Sequence, residues 1–94
     1  AIHLNPDYIR SRFNLGTIYE KGDKLDSARE EYLAVIRSDP DYIQAYYKLG
    51  YVYEQENKLD MALNAYKEAM RRNREDRKLE MHIRALEDQY NKPQ

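Results

Sequence analysis

Apolar residues recur at intervals of three and four along the chain, and no segment alternates strictly as a strand would. Ile9, Phe13, Leu15, Ile18 and Tyr19 predict a first helix over about residues 8–21. Leu25, Ala28, Tyr32, Val35 and Ile36 predict a second over about 25–37. The pattern then repeats through Ile43, Tyr46, Tyr47, Leu49, Val52 and Tyr53, and again through Leu59, Ala62, Tyr66, Ala69 and Met70. A fifth helix, about 75–91, carries one stripe of Leu79, Ile83, Leu86 and Tyr90 opposite Arg84, Glu87, Asp88 and Asn91.

Polar punctuation separates these segments. Pro6 and Pro40 stop a preceding helical pattern, because proline lacks the amide hydrogen and restricts the residue before it. Asp7 and Asp41 are expected to cap the helices that follow, and Asp23 and Asn57 those after the inner breaks at Gly22-Asp23 and Glu56-Asn57. Connections this short make neighbouring helices antiparallel.

The decisive pattern is long-range. Pro6-Asp7-Tyr8-Ile9 returns as Pro40-Asp41-Tyr42-Ile43, Leu15-Gly16 as Leu49-Gly50, Tyr19-Glu20 as Tyr53-Glu54, and Lys24-Leu25-Asp26 as Lys58-Leu59-Asp60, always 34 residues later. Ala28 and Tyr32 return as Ala62 and Tyr66. A fixed period of this size marks a stacked repeat, whose units bury their apolar faces only against neighbours. Glycine inside a helix costs about 1 kcal/mol relative to alanine. Gly16 and Gly50 therefore predict close helix crossings, with Ala28 and Ala62 as the small partner surface. Such an architecture presents a recognition surface rather than a catalytic centre.

Composition narrows the function further. Charged residues make up 35% of the chain, yet the net charge is only −1, which argues against general affinity for nucleic acid or anionic membrane. The run Arg71-Arg72-Asn73-Arg74-Glu75-Asp76-Arg77-Lys78 is diluted by its acids and reads as a solvated turn. There is no cysteine, hence no disulfide or thiolate zinc site, and no apolar run long enough for membrane insertion. His3 and His82 are the only histidines, and no phosphate loop or nucleophile motif is present. No enzyme activity, metal or cofactor is expected.

The 34-residue helix-turn-helix unit resembles the tetratricopeptide repeat. The second copy carries that family's pattern at Tyr46, Leu49-Gly50, Tyr53, Ala62, Tyr66 and Ala69, and the first at Leu15-Gly16, Tyr19, Ala28, Tyr32 and Pro40. Arg12, Val35 and Arg74 depart from it, as does Arg84 at the glycine position of the last helix. The resemblance implies an all-α, right-handed α-solenoid of two antiparallel helix hairpins with a capping helix. Residues 7–40 and 41–74 are the repeats, 75–94 the capping helix and tail, and 1–6 a remnant of a preceding repeat. Ala1 falls at that earlier repeat's last alanine position, so the chain is read as an excised piece.

The resemblance also implies a concave groove lined by the first helix of each repeat. Its positions fall on Arg10, Phe13, Asn14 and Thr17, then Gln44, Tyr47, Lys48, Tyr51 and Gln55, then Lys78, Met81 and His82 of the capping helix. Aromatics among lysines and amides suit a peptide with apolar anchors. The carboxylate clamp of some family members is not expected: Phe13, Thr17 and Lys48 replace three of its groups, and His82 replaces an arginine. The leading function is therefore a protein-binding scaffold or adaptor that takes a peptide or helical segment of a partner. A structural spacer that self-assembles through its repeat edges, and an accessory region of a larger enzyme, are the alternatives. Weak self-association through the N-terminal edge, including Ala1-Ile2-His3-Leu4, is expected, with Arg12 weakening it.

Overall fold

Asn5 opens the first helix: its side-chain oxygen accepts the backbone N–H groups of Asp7 and Tyr8 at 3.1 and 3.2 Å. Pro6 follows in the first turn, where its missing N–H leaves no bond unmade. The computed structural model describes residues 5–91. It contains α1 (Pro6–Lys21), α2 (Leu25–Ser38), α3 (Ile43–Gln55), α4 (Leu59–Arg72) and α5 (Arg77–Asn91), with no strand among the described residues. Helices α1 and α2 form one hairpin and α3 and α4 another; α3 packs on α2 and α5 on α4. This is the all-α solenoid that the pattern predicts. Residues 1–4 of the expected remnant lie outside the described residues, and Pro6 belongs to α1.

The capping expectations need correction. Asn5, not Asp7, caps α1. Tyr42 stands at the start of α3 without a side-chain cap, and Asp41 instead donates its N–H to Asp39. Asp23 and Asn57 do not cap the helices after them; Lys24 and Lys58 occupy those positions. They terminate the helices before them, in the left-handed region at φ 62° and 60°. Lys24 N–H bonds Tyr19 C=O at 2.8 Å and Asp23 N–H bonds Glu20 C=O at 3.1 Å; the equivalent pair, Lys58 to Tyr53 and Asn57 to Glu54, spans 2.9 and 3.0 Å. This crossed pair of bonds satisfies the last helical carbonyls, and after glycine, Asn and Asp tolerate the conformation best.

The main core joins Ala28 and Tyr32 of α2 to Tyr46, Leu49, Val52 and Tyr53 of α3, and continues through α4 to Leu79, Ile83 and Leu86 of α5. A second cluster of Ile9, Val35 and Ala45 fastens α1 and α2 to α3. Arg29 adds a largely buried ion pair, 2.7 Å from Glu56 in the α3–α4 turn. Leu15 and Tyr19, on the apolar stripe of α1, are only half-buried. Tyr90 continues the α5 stripe in sequence but is 55% exposed, so the buried stripe ends at Leu86. The stripe marks a direction on the helix, not the length of helix beneath it.

Gly16 and Gly50 do lie where side chains press close. A Cβ on Gly16 would stand 2.7 Å from the Tyr32 ring, and one on Gly50 2.7 Å from the Tyr66 ring. The partner surface is therefore a tyrosine ring rather than Ala28 or Ala62.

Candidate functional site

Three first-position helices, α1, α3 and α5, carry the predicted groove residues at matching positions 34 residues apart: Arg10, Gln44 and Lys78; Phe13, Tyr47 and Met81; Asn14, Lys48 and His82. Side-chain bridges bring these helices together. Tyr32 donates its hydroxyl to Glu20 at 2.8 Å, and Lys48 of the next first helix stands 3.9 Å from the same carboxylate. One repeat on, Tyr66 donates to Glu54 at 2.9 Å, and His82 of α5 lies 2.8 Å from Glu54. The His82 ring also meets the Tyr66 ring edge-on at 5.1 Å. In each repeat a buried tyrosine thus hydrogen-bonds a carboxylate that faces a basic or imidazole side chain of the next first helix. Glu20 and Glu54 were not among the groove candidates. Their signal was available: both belong to the Tyr-Glu pair that recurs at the 34-residue period.

The predicted residues divide into two groups. Phe13 packs inward between the rings of Tyr32 and Tyr42, with centroids 5.7 and 5.3 Å away. Thr17 is half-buried and donates its hydroxyl to the Phe13 carbonyl at 3.1 Å. Tyr47 is half-buried against the core and donates its hydroxyl to Asp76. Asp76 in turn accepts the Leu79 N–H at 3.0 Å, so Tyr47 orients the start of α5. Arg10, Asn14, Gln44, Gln55, Lys78 and His82 are exposed, and Lys48 is half-buried. Of the apolar residues among the predicted set, Tyr51 and Met81 are 43% and 70% exposed. Phe13 and Tyr47 pack against the core, whereas Tyr51 and Met81 are exposed.

The back of the solenoid holds a separate apolar furrow of about 250 Å³. Leu33 and Ile36 of α2 and Met61 and Ala65 of α4 line it, with Asn64 and Glu68 at its rim. No group of histidine and acidic side chains suited to a metal occurs among the described residues. No helix among them is long and apolar enough to cross a membrane.

Burial raises the Tyr32 and Tyr66 hydroxyls well above their ordinary value of 10.0, and the acceptor carboxylates add to the effect. Tyr47 is pushed up to about 12 by burial and by its bond to Asp76. Above the ordinary phenol value, the unfolded chain releases protons that these tyrosines keep when folded. Their contribution to stability is therefore complete below pH 10.0 and is lost as pH rises through their folded values. Melting temperature should fall above that pH, and the phenolate absorbance of these rings should appear only with loss of helix. Full ionisation with the helices intact would contradict the hydroxyl–carboxylate bridges.

Comparison with known proteins bears on the same residues. A TPR repeat model matches residues 21–57, and a tetratricopeptide repeat model matches 43–76. Together they span three of the four hairpin helices and both recurring turns. The chain belongs to the tetratricopeptide repeat family. Among solved structures, that of a MamA mutant superimposes with a TM-score of 0.79 over 95% of this chain, at 21% sequence identity. This TPR chain spans 65% of that chain's length, and the likeness concerns the fold. TPR repeats generally mediate protein–protein interaction and scaffolding and are typically non-catalytic.

Proposed function

We propose that the chain is a scaffold module that binds a peptide or short helical segment of a partner protein across the shared face of α1, α3 and α5. The observation that carries this reading is the exposure of Tyr51 and Met81 on a face whose helices are bridged side chain to side chain. Two apolar anchors stand above a supported floor, with Lys78, Gln44 and Gln55 exposed around them. Anchors of this kind, packed against a rigid surface, dominate peptide recognition. Lys78 favours an acidic residue beside the partner's apolar positions.

A peptide selected from a random display library on the wild-type chain serves as the probe. Tyr51→Ala and Met81→Ala should each weaken its binding by about 1–2 kcal/mol, roughly five- to thirty-fold. Neither should lower the melting temperature appreciably, because both side chains are exposed. Met61→Ala, in the furrow between α2 and α4, is the control and should leave binding unchanged. Loss of binding in Met61→Ala alone would move the site to the back of the solenoid.

A further inference from the structure

The furrow between α2 and α4 holds apolar side chains that the repeat itself does not require. Leu33 and Met61 line its two walls, and Met61 is 41% exposed. Their equivalents one repeat away are Lys67 and Ser27, so the same hairpin forms with a polar residue at either position. Tyr46, Leu49 and Tyr53 of α3 make the floor. Among the buried tyrosines, Tyr32, Tyr46 and Tyr66 donate their hydroxyls to Glu20, the Pro40 carbonyl and Glu54. Tyr53 is placed as deeply, at 7% exposed, yet its hydroxyl has no hydrogen-bond partner among the described residues. No fully buried side-chain polar atom among them lacks a partner, so this hydroxyl reaches solvent from the floor of the furrow.

The charges around the furrow are ordered along it. Short turns set α3 antiparallel to α2 and α4, which therefore run in the same direction. Glu30, three residues before Leu33, and Asp60, four before Asn64, are exposed at the amino-terminal end. Arg37, four residues after Leu33, and Arg71, three after Glu68, are exposed at the other end. Arg29 at the acidic end is taken up by Glu56 at 2.7 Å and Asp26 at 3.0 Å. Glu68 at the basic end is shared by Arg71 and Arg72, both at 3.0 Å, and Arg72 also reaches Asp41 at 3.4 Å.

We propose that this furrow docks one amphipathic helix of a partner protein, antiparallel to α2 and α4, at a site separate from the face of α1, α3 and α5. An ordinary helix carries acids in its first turn and basic residues in its last, because these complement its dipole. Laid antiparallel, its first turn meets Arg37 and Arg71, and its last turn meets Glu30 and Asp60. Laid parallel, each end would meet its own charge. Apolar residues at i, i+3 or i+4, and i+7 of the docked helix enter between the walls. Tyr53 stands near Glu30, at the acidic end. There its hydroxyl donates to one of the carbonyls that a helix leaves unpaired at its carboxyl end.

Display selection of alanine-based helices of about 15 residues, randomised along one face and at both ends, tests the proposal. The target is the full chain carrying Tyr51→Ala/Met81→Ala, which removes the exposed anchors of the other face. Selected helices should share an apolar stripe, acids in the first turn and Lys or Arg in the last. Met61→Lys sets a positive charge against that last turn and should weaken binding at least about tenfold. Tyr53→Phe removes one hydroxyl and should weaken it roughly two- to tenfold without lowering the melting temperature. Far-ultraviolet circular dichroism of each variant confirms that the helices are retained. Failure to select any helix, selected helices without this charge order, or binding indifferent to Met61→Lys or to Tyr53→Phe would each overturn the proposal.

Discussion

Gly50→Leu is expected to destabilise the protein by about 3 kcal/mol, the upper end of the usual range for overpacking. Even the first carbon of the new side chain would lie 2.7 to 2.8 Å from three carbons of the Tyr66 ring. That ring cannot withdraw. It is 5% exposed, its hydroxyl is held by Glu54, and the His82 ring packs perpendicular to it. Tyr47→Ala should cost less, about 1–2 kcal/mol, because it removes a half-buried ring and one hydrogen bond. That cost still exceeds what an open groove position would carry, since Tyr47 supports Asp76 at the start of α5. Urea melts of the two variants make the comparison. A larger loss from Tyr47→Ala would mean that the Gly50–Tyr66 approach is not the tight point of the second hairpin.

The 34-residue recurrence makes the hairpins, the close approach at each glycine and the antiparallel packing legible in the sequence. It could not say which side chain fills the space beside the glycine. Ala62 and Tyr66 are neighbours at i, i+4 on one helical face, and both recur, so periodicity does not separate them. Asp23 and Asn57 are ambiguous in the sequence for a related reason. The same short side chains favour helix starts and left-handed helix ends, and here the second role wins in both copies. Phe13 and Tyr47 sit beside Asn14 and Lys48 at the boundary between the packed and open faces. A rotation of one residue decides which side a ring joins. Ile18 and Val52 are both aliphatic at one repeat position, yet only Val52 is covered, because burial depends on the neighbouring element.

Tyr66→Ala is expected to lose about 3–4 kcal/mol, the range for truncating a buried aromatic. It leaves a cavity beside Gly50 and removes the donor that fixes Glu54. The two sites should also be coupled. In the Tyr66→Ala background, Gly50→Leu should cost much less than it does alone, because the leucine then enters the space left by the ring. A double-mutant cycle measures this, and contacting pairs typically show interaction energies of about 0.5–3 kcal/mol. Additive losses would show that the glycine is retained for some reason other than the Tyr66 ring.

The most direct test of the peptide-binding reading is amide chemical-shift mapping with the display-selected peptide. The account predicts shifts along one face of α3 and α5, centred on Lys48, Tyr51, Gln55 and Met81, with weaker effects near Asn14 of α1. Shifts confined to the back of the solenoid, around Glu30, Met61 and Asn64, would contradict it.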